Sequence, residues 1–460
     1  MTGIFKGLQE YASKQYLSMH MPGHKSGKLI PEELVEALGS KMFTFDLTEL
    51  PETDNLQAPS AMILETEKRI AAINKAEQAF LLVNGSTAGL LAAIYALAKN
   101  KEIFIASNCH QAVYHAIILS GAEPIFIAAD YDDQTGAQLG INPDNLTEAI
   151  YRYPSSKVLV VTYPNYYGQR YKMEEIIRTA KNHGLTVIVD EAHGAHFPFM
   201  QELLPGAISL GADVSIQSWH KMLPVLNQGS VLLTGKKCRD HNFRKAINLF
   251  QTTSPSYLIM ATIDAAANMY CNKAAELKQT AQRIATHKEK QTFTHMVLHK
   301  ESINQSDPFK LWLTSDRKLK TNAEKIIRDT HRIEPEILSD YELLLLLPLD
   351  CSKERLDYLF AALFELDDTL STIKPSLKMP AEAITEPIRK PLLKPSELDL
   401  LSSQKVAVEE AQGKISAQIV AKYPPGIPLV YPGDTLTKEI VCYLSRHKIN
   451  YSLQDGIEIM

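Results

Sequence analysis

Two stretches of the sequence decide the fold: VIVDEAHGAH at residues 187–196 and VSIQSWHK at residues 214–221. In both, a short and mainly apolar run is followed at once by polar and ionisable side chains. Such runs are typical of strands buried in a parallel sheet, where ligands bind beyond the carboxyl ends of the strands. Asp190 and Lys221 are therefore expected to lie at a ligand site.

The same pattern continues on the amino-terminal side. Strand-length apolar runs recur there, and helical patterns at residues 85–97 and 173–183 separate several of them. This alternation predicts an α/β fold with a mostly parallel sheet that helices cover on both faces. The further runs lie at residues 80–83, 103–105, 124–127 and 158–161.

Pattern and composition divide the chain into three regions. Residues 1–60 are rich in turn residues, including MPGHKSG at 21–27, and are predicted to form an irregular N-terminal arm. Residues 61–275 are predicted to form the large ligand-binding domain. Residues 276–460 are predicted to form a smaller α+β C-terminal domain, in which residues 375–395 are a surface linker or excursion. Further elements are expected at 257–297 (one or two long helices), 309–313 and 343–347 (strands).

The composition is typical of a soluble globular protein. The 460 residues include 48 Lys and Arg against 53 Asp and Glu, a balance that predicts neither a nucleic-acid partner nor a membrane partner. The five cysteines are scattered without a Cys-x-x-Cys pair, and the amino terminus has no apolar signal core. A cytoplasmic location without disulfides or a metal site is therefore expected.

Asp190 and Lys221 suit a ligand that carries both a ring nitrogen and an aldehyde. The lysine amine can condense with the aldehyde to an imine, while the aspartate carboxylate keeps the ring nitrogen protonated. At about 4 Å and an effective dielectric of roughly 20, this charge pair is stabilised by roughly 4 kcal/mol. The ring then stays cationic and withdraws electrons. Taken singly, each residue has an ordinary alternative, a surface lysine and a helix-capping aspartate.

A cradle for a phosphate group is predicted at NGSTAG, residues 84–89. This segment follows a strand and opens a helix, and the free backbone N–H groups at a helix start bind anions. His110, which also follows a strand, is a candidate for stacking on a flat ring. The alternatives are an ordinary helix cap and a structural or solvated histidine. The candidates for phosphate contact are Ser86, Thr87, Ser218 and His220.

Two further motifs stand near the ends of the chain, Pro22-Gly23-His24-Lys25 and Tyr423-Pro424-Pro425-Gly426-Ile427-Pro428. With them, the chain resembles the Orn/Lys/Arg decarboxylases, a family of fold-type I enzymes that depend on pyridoxal 5′-phosphate. The resemblance covers nearly the whole chain and implies the fold-type I fold. It also implies a role for each site residue: Lys221 binds the cofactor aldehyde, Asp190 pairs with its ring nitrogen, His110 and Ala192 flank the ring, and Ser86, Thr87, Ser218 and His220 hold the phosphate.

The resemblance further implies α-decarboxylation of arginine, lysine or ornithine, as in polyamine metabolism. Lys221 or His193 is then the candidate acid for the proton that replaces the carboxylate. Asp434 is a candidate partner for the cationic end of the substrate. The family works as homodimers with shared active sites, so the turn at residues 252–257 is a candidate contributor to the partner's phosphate site. The chain resembles the short form of the family, which lacks an N-terminal wing domain.

Two departures from the family pattern leave the substrate open. Trp219 stands where a small residue usually precedes the His-Lys pair, and its indole either crowds the pocket or points into the core. Asp434 stands where many members have glutamate. Two rival functions also remain open. One is another fold-type I enzyme, an aminotransferase or a lyase, and the other is an inactive regulatory paralogue.

Overall fold

The structure is a computed structural model that describes residues 3–131, 138–239, 241–300, 302, 305–376, 386–398, 401–422, 427–446, 453 and 455–460. Its strands are β1 (Gln78–Leu82), β2 (Glu102–Ala106), β3 (Glu123–Ile127), β4 (Ala129–Tyr131), β5 (Gln138–Ile141), β6 (Val158–Thr162), β7 (Thr186–Asp190), β8 (Val214–Gln217), β9 (Ser230–Thr234), β10 (Met296–Leu298), β11 (Lys310–Ser315), β12 (Ile337–Leu338), β13 (Glu342–Leu346), β14 (Ile388–Arg389), β15 (Gln404–Val406), β16 (Val420–Lys422), β17 (Ile427–Val430) and β18 (Ile457–Ile459). Its α-helices are α1 (Ile4–Ser13), α2 (Glu32–Leu38), α3 (Met62–Ile73), α4 (Gly85–Ala98), α5 (Gln111–Ser120), α6 (Pro143–Arg152), α7 (Met173–Asn182), α8 (Trp219–Met222), α9 (Phe243–Phe250), α10 (Tyr257–Cys271), α11 (Ala274–Glu289), α12 (Lys320–Ala323), α13 (Lys353–Thr369), α14 (Pro395–Leu398) and α15 (Lys438–Arg446).

The main sheet has eight strands within the described part of the chain, in the order β1-β9-β8-β7-β6-β2-β3-β14. The central strands, from β8 across to β3, pair in parallel, whereas β9 and β14 run antiparallel to their neighbours. Nearly every residue of the central strands is buried. Because alternate side chains point to opposite faces, both faces of this sheet must be covered. The predicted mostly parallel sheet is confirmed.

A second sheet lies in the C-terminal half and has the antiparallel order β10-β11-β13-β12. Its buried leucines belong to the same apolar core as the main sheet, so the two sheets share one interior. A separate small core forms in the last part of the chain around α15 and β18. The predicted α+β character of the C-terminal half is confirmed, while the predicted boundaries at residues 60/61 and 275/276 stay predictions.

The N-terminal arm is not irregular throughout, and this part of the prediction is wrong. Helix α1 packs against α3 and α10, and its residues Ile4 and Leu8 are fully buried. The side chain of Asp264 on α10 accepts a hydrogen bond of 2.9 Å from the backbone N–H of Phe5 in the first turn of α1. The helix forms because its amphipathic face has a core to cover and its amino end has an anionic partner.

The predicted surface linker at 375–395 also needs correction. Strand β14 lies inside it and extends the main sheet by pairing with β3, with Ile388 opposite Ile127. Ile388 is buried, and the guanidinium of Arg389 lies 5.1 Å from the centre of the Phe126 ring. Residues 377–385 lie outside the described residues. In the part of the chain that the structure describes, no helix combines the length and apolar character needed to cross a membrane.

Candidate active site

Lys221 lies near Asp190 and His193 at the carboxyl ends of the parallel strands, and we call the region around these residues the crevice. Lys221 lies on α8, directly after β8, and its side chain is exposed to solvent. Surrounding protein nevertheless lowers its pKa, chiefly by desolvation, while the charges of Asp190 and Glu336 oppose that shift. Exposure of the side chain and desolvation of its amine are compatible when the amine lies at the inner end of an open cavity. This is the environment that a lysine nucleophile needs.

Asp190 is the last residue of β7 and is buried. Its Oδ1 accepts a hydrogen bond of 3.1 Å from the backbone N–H of Ala192, which fixes the carboxylate at the edge of the sheet. Its charge acts on both Lys221 and His110. The structure therefore brings together four predicted site residues: Asp190, Ala192, Lys221 and His110.

The predicted phosphate cradle is formed by two strand ends that meet. Ser218 Oγ donates a hydrogen bond of 2.8 Å to Ser86 Oγ across the ends of β8 and β1. Gly85, with φ +77°, turns the chain into α4 in a conformation that favours glycine. Among the described residues no side chain caps the start of α4, and Thr87 in its first turn is exposed. Gly85 N–H donates to the carbonyl of Gln228, and the following backbone N–H groups of the first turn, with the hydroxyls, make an anion site.

His220 closes one side of this cradle. Its backbone N–H donates to the carbonyl of Gly229, and its Nδ1 lies 3.1 Å from the same carbonyl oxygen. Nδ1 must therefore carry a proton, which fixes the ring orientation. Burial lowers the pKa of His220.

His110 is held as a neutral ring at the start of α5. Its Nδ1 accepts a hydrogen bond of 3.1 Å from the backbone N–H of Ala112, so its proton is on Nε2. Burial lowers the pKa of His110, with Asp190 opposing the shift. A neutral, oriented imidazole in the crevice suits the predicted stacking role.

His193 lies between two lysines. Its Nε2 is 3.2 Å from Lys221 Nζ, and its Nδ1 is 2.9 Å from Lys310 Nζ. Desolvation lowers the pKa of His193 well below its usual value, and both lysines add to this. Lys310 was missed by the sequence analysis. The available signal was a lysine inside the apolar strand run FKLWL at residues 309–313.

A buried polar network supports the floor of the site. Glu191 accepts hydrogen bonds from the backbone N–H of Ala207 (2.8 Å), from Ser215 Oγ (2.6 Å) and from Gln217 Nε2 (2.9 Å). Burial raises the pKa of Glu191 to about 7, while the bonds from Ser215 and Gln217 lower it. The sequence analysis assigned no role to this residue.

Trp219 points into the core and does not crowd the crevice. Its side chain is fully buried, its Nε1 donates a hydrogen bond of 3.0 Å to Gln217 Oε1, and its indole packs edge-on against Phe199. The open choice between these two orientations is thereby decided.

Asp434 is placed differently from the prediction. It is buried, it pairs with Arg389 at 2.7 Å, and its Oδ2 also accepts from the backbone N–H of Tyr431. Burial raises its pKa, and Arg389 opposes this. Because Arg389 already neutralises the carboxylate, Asp434 is not a free partner for the cationic end of a substrate.

The remaining predicted motifs have local contacts. In the turn at residues 252–257, the backbone N–H of Thr252 donates to Asn84 Oδ1 (3.3 Å), beside the phosphate cradle of the same chain. His24 Nε2 lies 3.2 Å from Asp46 Oδ2. Residues 423–426 of the C-terminal motif lie outside the described residues.

Comparison with known families decides the assignment. The major-domain model of the Orn/Lys/Arg decarboxylases matches residues 2–318, and the C-terminal-domain model of the same family matches residues 382–451. The chain belongs to this family. Membership confirms the resemblance, and the crevice of this decarboxylase-family chain is its candidate active site.

Relatives of similar length include two proteins of Bacillus subtilis (strain 168). An uncharacterized protein is 34% identical over 97% of this chain and 94% of its own length. An arginine decarboxylase is 28% identical over 97% of this chain and 93% of its own length. Each of these two alignments therefore covers nearly the full length of both this chain and its relative.

Solved structures confirm the fold. The lysine decarboxylase of Francisella novicida superimposes with a TM-score of 0.82 at 19% identity, over 99% of this chain and 81% of that one. A serine palmitoyltransferase of Sphingomonas wittichii matches 75% of this chain and 83% of that one, with a TM-score of 0.53 at 16% identity. These structural similarities show the fold-type I architecture. Because the sequence identities are only 19% and 16%, they show the fold alone.

The residues present fit pyridoxal phosphate. The start of α4 with Ser86 and Ser218 suits its phosphate, and the amine of Lys221 suits its aldehyde. The buried carboxylate of Asp190 suits a cationic ring nitrogen. Each requirement of the cofactor is met by a described group at the same sheet edge.

Proposed function

We propose that this chain decarboxylates a basic amino acid, arginine, lysine or ornithine, with pyridoxal phosphate as cofactor. The observation that carries the proposal is the Lys221 amine in an open crevice, with Asp190 and a neutral His110 near it. Membership of the decarboxylase family and an arginine decarboxylase relative that matches nearly end to end support it further.

Each group of the crevice has a part in this proposal. Lys221 would hold the cofactor aldehyde, Asp190 its ring nitrogen, and His110 and Ala192 its two faces; Ser86, Thr87, Ser218 and His220 would hold its phosphate. When bound, pyridoxal phosphate supplies a cationic ring that takes up the electrons released as CO₂ leaves.

Loss of CO₂ must be followed by protonation of the carbon that carried the carboxylate. Lys221 and His193 are the candidates, because their nitrogens lie 3.2 Å apart in the crevice. Burial lowers the pKa of Lys221, so its ammonium form gives up a proton more readily than that of an exposed lysine. The pKa of His193 is lowered well below its usual value, so this ring is neutral and can pass a proton on.

The substrate panel is the decisive experiment. The purified chain with added pyridoxal phosphate is offered arginine, lysine and ornithine, and CO₂, amine and keto acid are measured. We expect CO₂ and the matching amine in equal amounts from at least one substrate. Keto acid without CO₂ would contradict the proposal and favour an aminotransferase.

We further propose a homodimer in the cytoplasm, with amine products of the kind used in polyamine metabolism. Large apolar side chains are exposed in the N-terminal arm, and exposed apolar patches of this kind mark interfaces. A second copy of the chain is the occupant proposed for this patch, which we call the arm patch. Its members are Phe5, Tyr16, Leu17, Met19, Met21, Leu29, Leu34, Leu38 and Met42.

A further inference from the structure

Lys310 reaches the crevice from the second sheet. It is the first residue of β11, and its Nζ lies 2.9 Å from His193 Nδ1, while His193 Nε2 lies 3.2 Å from Lys221 Nζ. Four nitrogen atoms of three residues thus form a continuous chain from the second sheet to the lysine of the crevice. Lys310 and His193 are both buried, so this contact is shielded from bulk water.

The site is built to hold the Lys310 ammonium. A Cβ placed on Gly168, which follows β6 with φ +86°, would lie 2.6 Å from Lys310 Cγ, so only glycine leaves room for the lysine stem. The ring of Tyr166 lies 5.7 Å from Lys310 Nζ and 4.7 Å from the His193 ring. An aromatic face of this kind favours a cation.

Three ionisable groups act on the pKa of Lys310. Burial lowers the pKa of Lys310 to about 8, with Asp307 and Glu336 raising it and Lys221 lowering it. Asp307 Oδ2 is 3.1 Å from Nε2 of the buried His196. Burial raises the pKa of Asp307, but His196, Lys310 and the backbone N–H of Phe309 together bring it below its usual value. Glu336 accepts a hydrogen bond of 2.5 Å from the Tyr166 hydroxyl. At pH 7 Lys310 is therefore mainly an ammonium group.

The hydrogen-bond pattern follows from this charge. An ammonium group only donates, so His193 Nδ1 must accept, and the single proton of the neutral imidazole must be on Nε2. That proton faces Lys221 Nζ at 3.2 Å, and Lys221 can accept it whenever it is a neutral amine. Lys288, the neighbouring buried lysine, differs because its Nζ donates to the backbone carbonyl of Lys310 (3.1 Å).

We propose that Lys310 is a positioning residue that fixes the tautomer of His193 and supplies, through it, a proton to Lys221. The inference rests on the proposed function for its role in turnover. In the transfer, Lys310 gives a proton to Nδ1 while Nε2 gives its own proton to Lys221. The imidazole remains neutral with its proton moved from Nε2 to Nδ1, Lys310 becomes a neutral amine, and Lys221 becomes an ammonium group. The net transfer is one proton, from Lys310 to Lys221, and decarboxylation also consumes one proton.

The tautomer is measured first, in the cofactor-free protein at pH 7. Nitrogen-15 NMR of protein labelled in its histidine rings reports which nitrogen carries the proton, and His193→Gln identifies the signals. We expect the proton on Nε2 in the wild type, unchanged in Lys310→Gln, whose amide still donates. Lys310→Met cannot donate and should let the two tautomers mix, whereas Lys288→Met should leave the signals unchanged. A proton on Nδ1 in the wild type would overturn the inference without any Lys310 variant having to fold.

Turnover then tests the proton supply. Lys310→Gln is expected to lower kcat on the order of 100-fold with little change in KM, since proton delivery contributes at about this scale. The wild-type kcat should fall as pH rises above about 8, where Lys310 loses its proton, and Lys310→Gln should lack this fall. Wild-type kcat in Lys310→Gln would overturn this role. If no basic amino acid yields CO₂, the proposed function fails, yet the NMR result still decides how Lys310 acts on His193.

Discussion

At the scale of the residue, burial shifts the nitrogen bases of the crevice towards their neutral forms. Desolvation lowers the pKa values of Lys221, His110 and His193, each of which needs its lone pair for the role proposed. Asp190 supplies the compensating negative charge at the end of β7. Burial thus shifts Lys221 towards its nucleophilic amine form, and the charge of Asp190 opposes that shift.

Lys221→Ala should abolish both cofactor attachment and activity. Without the amine, bound pyridoxal phosphate cannot be held covalently, so the yellow absorbance of the loaded protein should disappear and CO₂ release should fall by several orders of magnitude. Absorption spectra and CO₂ assays check this. Lys68→Ala, at an exposed surface lysine, is the control and should keep both. A wild-type spectrum in Lys221→Ala would contradict the assignment, and a protein that stays colourless with added cofactor would favour an inactive paralogue.

Glu191 should make stability depend on pH. The unfolded chain releases this proton near the ordinary value of 4.5, whereas burial raises the folded-state pKa to about 7. Between these values the folded protein binds the extra proton, so its stability falls as pH rises, by up to about 3 kcal/mol. Glu191→Gln, which has no charge to lose, should remove this fall when urea midpoints are compared at pH 5 and 7.5. The exposed Glu276→Gln should retain it, and an unchanged slope in Glu191→Gln would refute the prediction.

At the scale of the element, the loops after the strands decide the chemistry. The segment after β6 brings Gly168 against Lys310, and the segment after β7 brings His193 between two lysines. The parallel arrangement makes these meetings possible, because neighbouring parallel strands end at one edge of the sheet. A substitution that strains or crowds one of these two segments is therefore expected to disturb the site.

Gly168→Ala should destabilise the protein more than Gly184→Ala. Both glycines have positive φ, +86° and +76°, so alanine is strained at each by roughly 1 kcal/mol. A methyl group at Gly184 meets nothing within 4 Å, whereas at Gly168 it would lie 2.6 Å from Lys310 Cγ. Overpacking adds roughly 1–3 kcal/mol at Gly168 only. Thermal unfolding of the two variants measures the difference, and equal losses would show that Lys310 is not tightly held.

At the scale of the whole molecule, segments from the N-terminal and C-terminal regions pack against the part of the fold that contains the main sheet. Helix α1 packs on α10, and β14 extends the sheet beside β3. The ion pair of Arg389 with Asp434 attaches the C-terminal segment to that added strand. The arm patch is left exposed by this arrangement.

Met19→Asp should weaken self-association. Met19 is 80% exposed within the arm patch, and a charge placed in a buried interface is costly. We expect the wild type to sediment as a dimer at micromolar concentration and Met19→Asp to shift towards monomer. Leu401→Asp, at an exposed leucine outside the arm, is the matched control. A wild type that sediments as a monomer, or a Met19→Asp variant that remains a dimer, would exclude the arm patch as the interface.

The sequence by itself determined the central strands and the cofactor residues. Apolar runs of strand length placed β2, β3, β6, β7 and β8 correctly, because burial of such runs is a local property of composition and length. The residue types at their carboxyl ends predicted Asp190, Lys221 and His110, since parallel topology alone brings those ends together.

Only the tertiary structure decided what each of these groups meets. Lys310 and His193 are 117 positions apart. Trp219, whose orientation the sequence left open, bonds to Gln217, and Asp434 pairs with Arg389. Local sequence does not encode the direction of a side chain or its partner across the core. Packing and charge compensation select them, because a buried polar group must find a partner wherever the fold provides one.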